Sequence, residues 1–179
     1  MNRLAFAGGL VVAGVLTGRA ALAHPTTIVA VACNVSTLED DAEDFLAGAL
    51  TERDVATLDP SAIDVTYHEQ ARLDAARLLD DSVSVDYASL VWVTAVYHAE
   101  RLLVANALVN GSSLPYEGFT VYNARARCSY RCFDVVSKRI VAAGSTLGTS
   151  RSEDADEAGE DAMHDGLSAI AKEAAPALR

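Results

Sequence analysis

Hydrophobic and polar positions change period several times along this chain, and each change predicts a new element. TIVAVACNV, Thr27 to Val35, is a continuous run of β-branched and small apolar residues. Its shortness and lack of alternation predict a strand buried on both faces. Helical spacing follows in Leu38, Ala42, Phe45, Ala49 and Leu50. Ser36 and Glu39 have capping-box spacing ahead of it. DVATL, Asp54 to Leu58, is a short strand candidate before the Asp59-Pro60 break. Between Ser61 and Asp81 the second half reads as helix, while IDVTYHE in the first half fits strand as well. DYASLVWVTAVY, Asp86 to Tyr97, predicts a second buried strand. From His98 to Gly118 the signals conflict: helix-like composition with an Asn-Gly stop, or a strand continuing from Tyr97.

The clearest alternation is FTVYNARARCSYRCFDVV, Phe119 to Val136. Tyr122, Ala124, Ala126, Cys128, Tyr130 and Cys132 share one face; Asn123, Arg125, Arg127, Ser129 and Arg131 share the other. A period of two at this length predicts a strand with one packed and one solvated face. Ser137-Lys138 predicts a tight turn, with RIVAAGSTLGT returning as the hairpin partner. Ser150 to Arg179 reads as a closing amphipathic helix, with Ser150 and Glu153 as a second capping box and Ala155, Ala162, Met163, Leu167, Ile170, Ala174 and Leu178 on one side. The order predicts an α/β (α+β) fold: a single mixed sheet with a long hairpin in the C-terminal half, helices on one or both faces, and a closing helix.

The amino terminus adds an address. MNR, the apolar run Leu4 to Leu16 and the small residues Ala21 and Ala23 have the order of a secretory signal peptide over residues 1–23. Thirteen residues are too few for a bilayer-spanning helix, which needs about 20. The expectation is one globular domain, residues 24–179, exported to the periplasm or secreted, with no stable membrane span after processing. No cysteine stands near the cut, so an acylated anchor is not expected. Losing Arg3 and Arg19 with the leader leaves 12 basic and 25 acidic residues, a formal net charge of −13. That argues against nucleic acid and anionic membrane surfaces as partners. The acids from Glu39 to Asp44 and from Glu153 to Asp161 match the positive ends of their helix dipoles and read as solvated faces.

Catalytic signatures are absent from the sequence. There is no GxSxG elbow, no HExxH, no CxxC, and no glycine cluster opening a helix. An enzyme and a resident cofactor are therefore not expected. Cys128 and Cys132, four residues apart on one strand, would have Cα atoms about 13 Å apart, too far for a disulfide. Two features remain. Arg125, Arg127 and Arg131 make a cationic stripe on an acidic protein, and guanidinium forks suit carboxylates or phosphates; neutralising the chain's own acids is the bland alternative. If cleavage follows Ala23, His24 offers an amine and an imidazole to copper(II), with His68 or His98 as further ligands.

The pattern resembles the envelope domain shared by the curli-secretion component family, the outer-membrane activators of penicillin-binding proteins, and the amino-terminal domain of TolB-type translocation proteins. TIVAVACNV with its capped helix, HEQARLDAARLLDD leading into VDYASLVWVTAV, the hairpin ARARCSYRCFDVVSKRIVAAGSTLGT and the closing helix DEAGEDAMHDGLSAIAKEAAPAL carry the resemblance. It implies a non-enzymatic module that binds another envelope protein or a cell-wall component. The chain lacks the acylated cysteine, and no apolar hairpin pair of pore-forming kind is expected in it.

Overall fold

The structure is a computed structural model that describes residues 25–116 and 118–179. The expected leader and His24 lie outside these residues. Four strands form one mixed sheet in the order β1-β2-β3-β4: β1 Thr27–Cys33, β2 Arg101–Tyr116, β3 Phe119–Asp134 and β4 Arg139–Ser152. β1 runs parallel to β2, and β2, β3 and β4 are successive antiparallel neighbours. The helices are α1 Glu39–Thr51, α2 Val65–Leu79, α3 Val91–Ala95 and α4 Ala155–Leu178. No helix among the described residues is long and apolar enough to cross a membrane.

Two cores lie on opposite sides of the sheet. On one, Val29, Leu103, Ala105 and the even-numbered β3 residues from Ala124 to Cys132 pack against α1 and α4. On the other, Ile28, Ala30, Leu102, Val104 and Phe133 pack against α2 and α3. β1, although the edge strand, buries residues in both cores, which accounts for its unbroken apolar run. The expected mixed sheet, long hairpin and closing helix are all present. α4 presses closely on the hairpin because Gly148 and Gly166 face each other: a Cβ on Gly148 would lie 1.9 Å from the Ala162 carbonyl oxygen.

Local expectations fail where tertiary contacts outweigh pattern. Asp86–Tyr97 is not a strand. Its apolar residues fold into the single turn α3, burying Leu90, Trp92 and Val93, and Trp92 stacks on Tyr67 at 5.1 Å. His98, at φ 53°, reverses the chain into β2, so the strand that pairs with β1 comes from the ambiguous segment. A short apolar run without clear alternation suits either conformation, and here Val91 and Val96 are left exposed. Asp54–Leu58 forms only an isolated bridge, Thr57 to Thr27. IDVTYHE joins α2, which Asp64 caps by accepting from the Thr66 N–H. Neither capping box forms as expected. Ser36 supplies no cap, and Glu39 accepts instead from the Cys33 N–H at 3.3 Å. β4 runs on through Ser152, so Asp154 caps α4, accepting from the Asp156 and Glu157 N–H groups.

Candidate binding face

α2 covers only part of its side of the sheet, and its C-terminus marks the boundary. There the Arg131 guanidinium, 4 % exposed, donates to the carbonyls of Leu79 and Asp80 at 3.2 and 3.3 Å and pairs with the Asp81 carboxylate. Helix C-termini carry partial negative charge and unsatisfied carbonyls, so an arginine suits this place. Arg131 was expected in the exposed stripe; the structure corrects that, because the end of α2 buries it.

Beyond this boundary the sheet is open, and successive rows cross β2, β3 and β4. Leu108, Arg127 and Leu147 form one row; Asn110, Arg125 and Thr149 the next; Ser112, Asn123 and Arg151 the third. Arg125, Arg127 and Arg151 are exposed, and among the described residues none makes an ion pair. Arg125 and Arg127 lie about 7 Å apart along the strand, and Arg151 is about 8 Å from Arg125 across one strand and one row. A shallow groove of about 920 Å³ runs between Arg125 and Arg151, floored by Asn110, Ser112, Asn123 and Thr149. A smaller cleft of about 300 Å³ holds Arg127 against Leu79 and Leu108. The surface offers three guanidinium forks, amides and hydroxyls, and apolar flanks at Leu108 and Leu147.

Arg151 lies outside the stripe the sequence predicts, because the capping-box spacing places a helix start at Ser150, whereas β4 runs to Ser152. The signal lay in the alternation of β4, which continues two residues further.

The histidines expected as copper ligands stand apart from this face. His24 is outside the described residues. His68 is buried between α1 and α2, its Nε2 3.8 Å from Glu43 Oε2, and His98 is exposed at the left-handed turn before β2. The thiols are poor nucleophiles. Burial pushes Cys128 and Cys132 up to about 12, leaving almost no thiolate at neutral pH. All three cysteines are free. Cys33 pairs with Ala107, and Ala107 with Cys128, which places Cys33 and Cys128 two strands, roughly 10 Å, apart, beyond disulfide reach.

No family model matches the chain, and no curated protein matches it. Solved structures align with it in part. Lipoprotein GNA1162 from Neisseria meningitidis aligns with a TM-score of 0.49 at 13 % identity, over 73 % of this chain and 86 % of that one. A PelC dodecamer from Paraburkholderia phytofirmans gives 0.42 at 15 %, over 87 % of each. The LpoB C-terminal domain from Salmonella enterica gives 0.38 at 15 %, over 69 % of this chain and 82 % of that one. Likeness at this level says nothing of activity or partner.

Proposed function

We propose that this protein is an exported, non-enzymatic binding or assembly module of the bacterial cell envelope, and that the open sheet face holds an acidic or phosphorylated partner, either an envelope protein or a cell-wall component. One observation supports the reading above others: three exposed arginines without ion pairs sit together on a chain rich in surplus carboxylates. If solubility were their only role, those acids could neutralise them, yet among the described residues none pairs with them, even though Asp80 lines the Arg127 cleft. The secretory pattern of residues 1–23 supports the envelope address.

The test is capture from envelope extracts by the immobilised protein. The Arg125→Ser, Arg127→Ser, Arg151→Ser triple variant should fold normally and lose the partner. Retention by the parent protein should weaken as salt rises, because exposed charge attraction is screened. Equal capture by the triple variant would overturn the assignment of the face.

A further inference from the structure

A second cluster lies on the seam between α1 and α4, on the opposite side of the sheet from the arginine face. Asp41 stands in the first turn of α1. Glu160 and His164 stand one turn apart on α4, so their side chains share a face. His164 Nε2 is 2.7 Å from Asp41 Oδ2. One ligand-capable atom from each of Asp41, Glu160 and His164 lies within 4.8 Å of the other two. Two carboxylates converge here, and among the described residues neither is paired with a lysine or arginine. The imidazole is held in place: Phe45, one turn along α1 from Asp41, stacks on it with ring centroids 4.0 Å apart and planes 7° from parallel. The His164 side chain is 22 % exposed and that of Asp41 47 %, so an ion can enter from solvent.

We propose that Asp41, Glu160 and His164 bind a divalent transition-metal ion of the zinc class, which fastens α1 to α4. One imidazole nitrogen and two carboxylate oxygens suit zinc, with bonds of about 2.0–2.2 Å and a water completing a tetrahedron. Ligand atoms around such an ion are about 3.3 Å apart. His164 Nε2 and Asp41 Oδ2, 2.7 Å apart, need to separate by about 0.6 Å, and the Glu160 carboxylate swings inward by side-chain rotation. Nε2 binds the ion as a neutral donor, so its proton, if present, leaves on binding. Calcium takes six to eight oxygen ligands and magnesium sheds its waters reluctantly, and neither favours an imidazole nitrogen as zinc does. Stacking on Phe45 fixes the ring while leaving Nε2 at the opening, an arrangement that a simple ion pair does not require.

The site is independent of the arginine face, and of any copper chelation at His24. Calorimetric titration with zinc chloride therefore uses the exported protein carrying His24→Ala. One equivalent of zinc should bind and raise the melting temperature, while magnesium should produce neither effect. His164→Ala should abolish binding. Glu160→Gln preserves the His164–Asp41 contact and the stacking, so it tests ligation without loosening the helices. It should weaken zinc by about tenfold or more, since even outer partners of metal ligands are worth 10–100-fold. Absence of stoichiometric zinc binding, undiminished binding by Glu160→Gln, or equal binding of magnesium would each overturn the proposal.

Discussion

At the scale of single residues, two buried charges show what the alternation of hydrophobic and polar positions conceals. Glu43 reads as part of an acidic, solvated first turn, yet it is 1 % exposed. Its Oε1 accepts from the Val31 N–H at 2.8 Å and from Arg72 Nε at 2.9 Å, and its Oε2 from an Arg72 terminal nitrogen at 2.7 Å. Removing Glu43 leaves the buried Val31 N–H without its acceptor, at about 1–3 kcal/mol, while Arg72 keeps Asp40 at 2.9 Å. Glu43→Ala should lose stability on that scale in denaturant unfolding, the largest loss of any acidic residue in α1. Arg131 is the second case. Arg131→Ser should cost about 2 kcal/mol, leaving the carbonyls at the end of α2 without their donor. Arg125→Ser and Arg127→Ser, on the same strand face, should each shift stability by about 0.5 kcal/mol or less. Thermal melts of the three variants separate the buried arginine from the exposed ones.

At the scale of elements, α1 guards the outer edge of β1. Glu39 and Glu43, one turn apart, accept from the Cys33 and Val31 N–H groups, while the 56–58 segment takes Thr27 on both sides, through Thr27 N–H to Ala56 and Leu58 N–H to Thr27. An open edge invites pairing with another chain, and these contacts close it. The capping-box spacing of Ser36 and Glu39 was real, but the carboxylate found a strand donor instead. α4 depends on close approach to β4. Gly148→Ala would set a Cβ 1.9 Å from the Ala162 carbonyl oxygen and 2.4 Å from the Gly166 nitrogen. These are backbone atoms within a helix, so the helix itself must move. Overpacking of this kind costs about 1–3 kcal/mol. Gly148→Ala should therefore melt well below the parent, while Gly111→Ala, whose Cβ would come no nearer than 3.9 Å to its surroundings, should change little beyond local strand preference.

At the scale of the whole molecule, aspartates held below their ordinary pKa make stability sensitive to low pH. Asp134 closes the sheet end by pairing with Arg101 across β2 and β3 and accepting from the Ser137 N–H at 2.7 Å. Burial alone would raise its pKa, but Ser137 and Arg101 outweigh that and hold the carboxyl below its ordinary value of 3.8. A depressed carboxylate stabilises the fold above the unfolded pKa and loses that contribution as pH falls through the folded one. Asp59, Asp64 and Asp80 are shifted the same way by the serine and threonine groups they cap. Unfolding free energy should fall as pH drops below about 4. Asp134→Asn should be less stable at neutral pH and decline less steeply in acid, approaching the parent near pH 2. Parallel acid slopes in denaturant titrations would show that Asp134 is not among the groups responsible.

The sequence by itself determined which residues are interior along the strongly periodic segments. The unbroken run of β1, the packed face of β3 and the stripe of α4 from Ala162 to Leu178 each match one structural period and are found where that period put them, while Ala155, at the start of α4, is exposed. The mixed sheet and the long hairpin followed from their order. Three-dimensional packing set the outcome where pattern is degenerate or where a partner is distant in the chain. The apolar residues from Leu90 to Val93 needed burial, which helix or strand could supply, and packing of Trp92 on Tyr67 selected the turn. Arg131 shares its period with Arg125 and Arg127, and differs only because α2, some fifty residues earlier, ends above it. Arg151 joined the face because β4 runs on past Ser150. Asp41 and His164, 123 residues apart, meet through the packing of α1 beside α4. Periodicity reports which side of an element is apolar; which side chains face one another across the molecule depends on where each element stops and what lies on it.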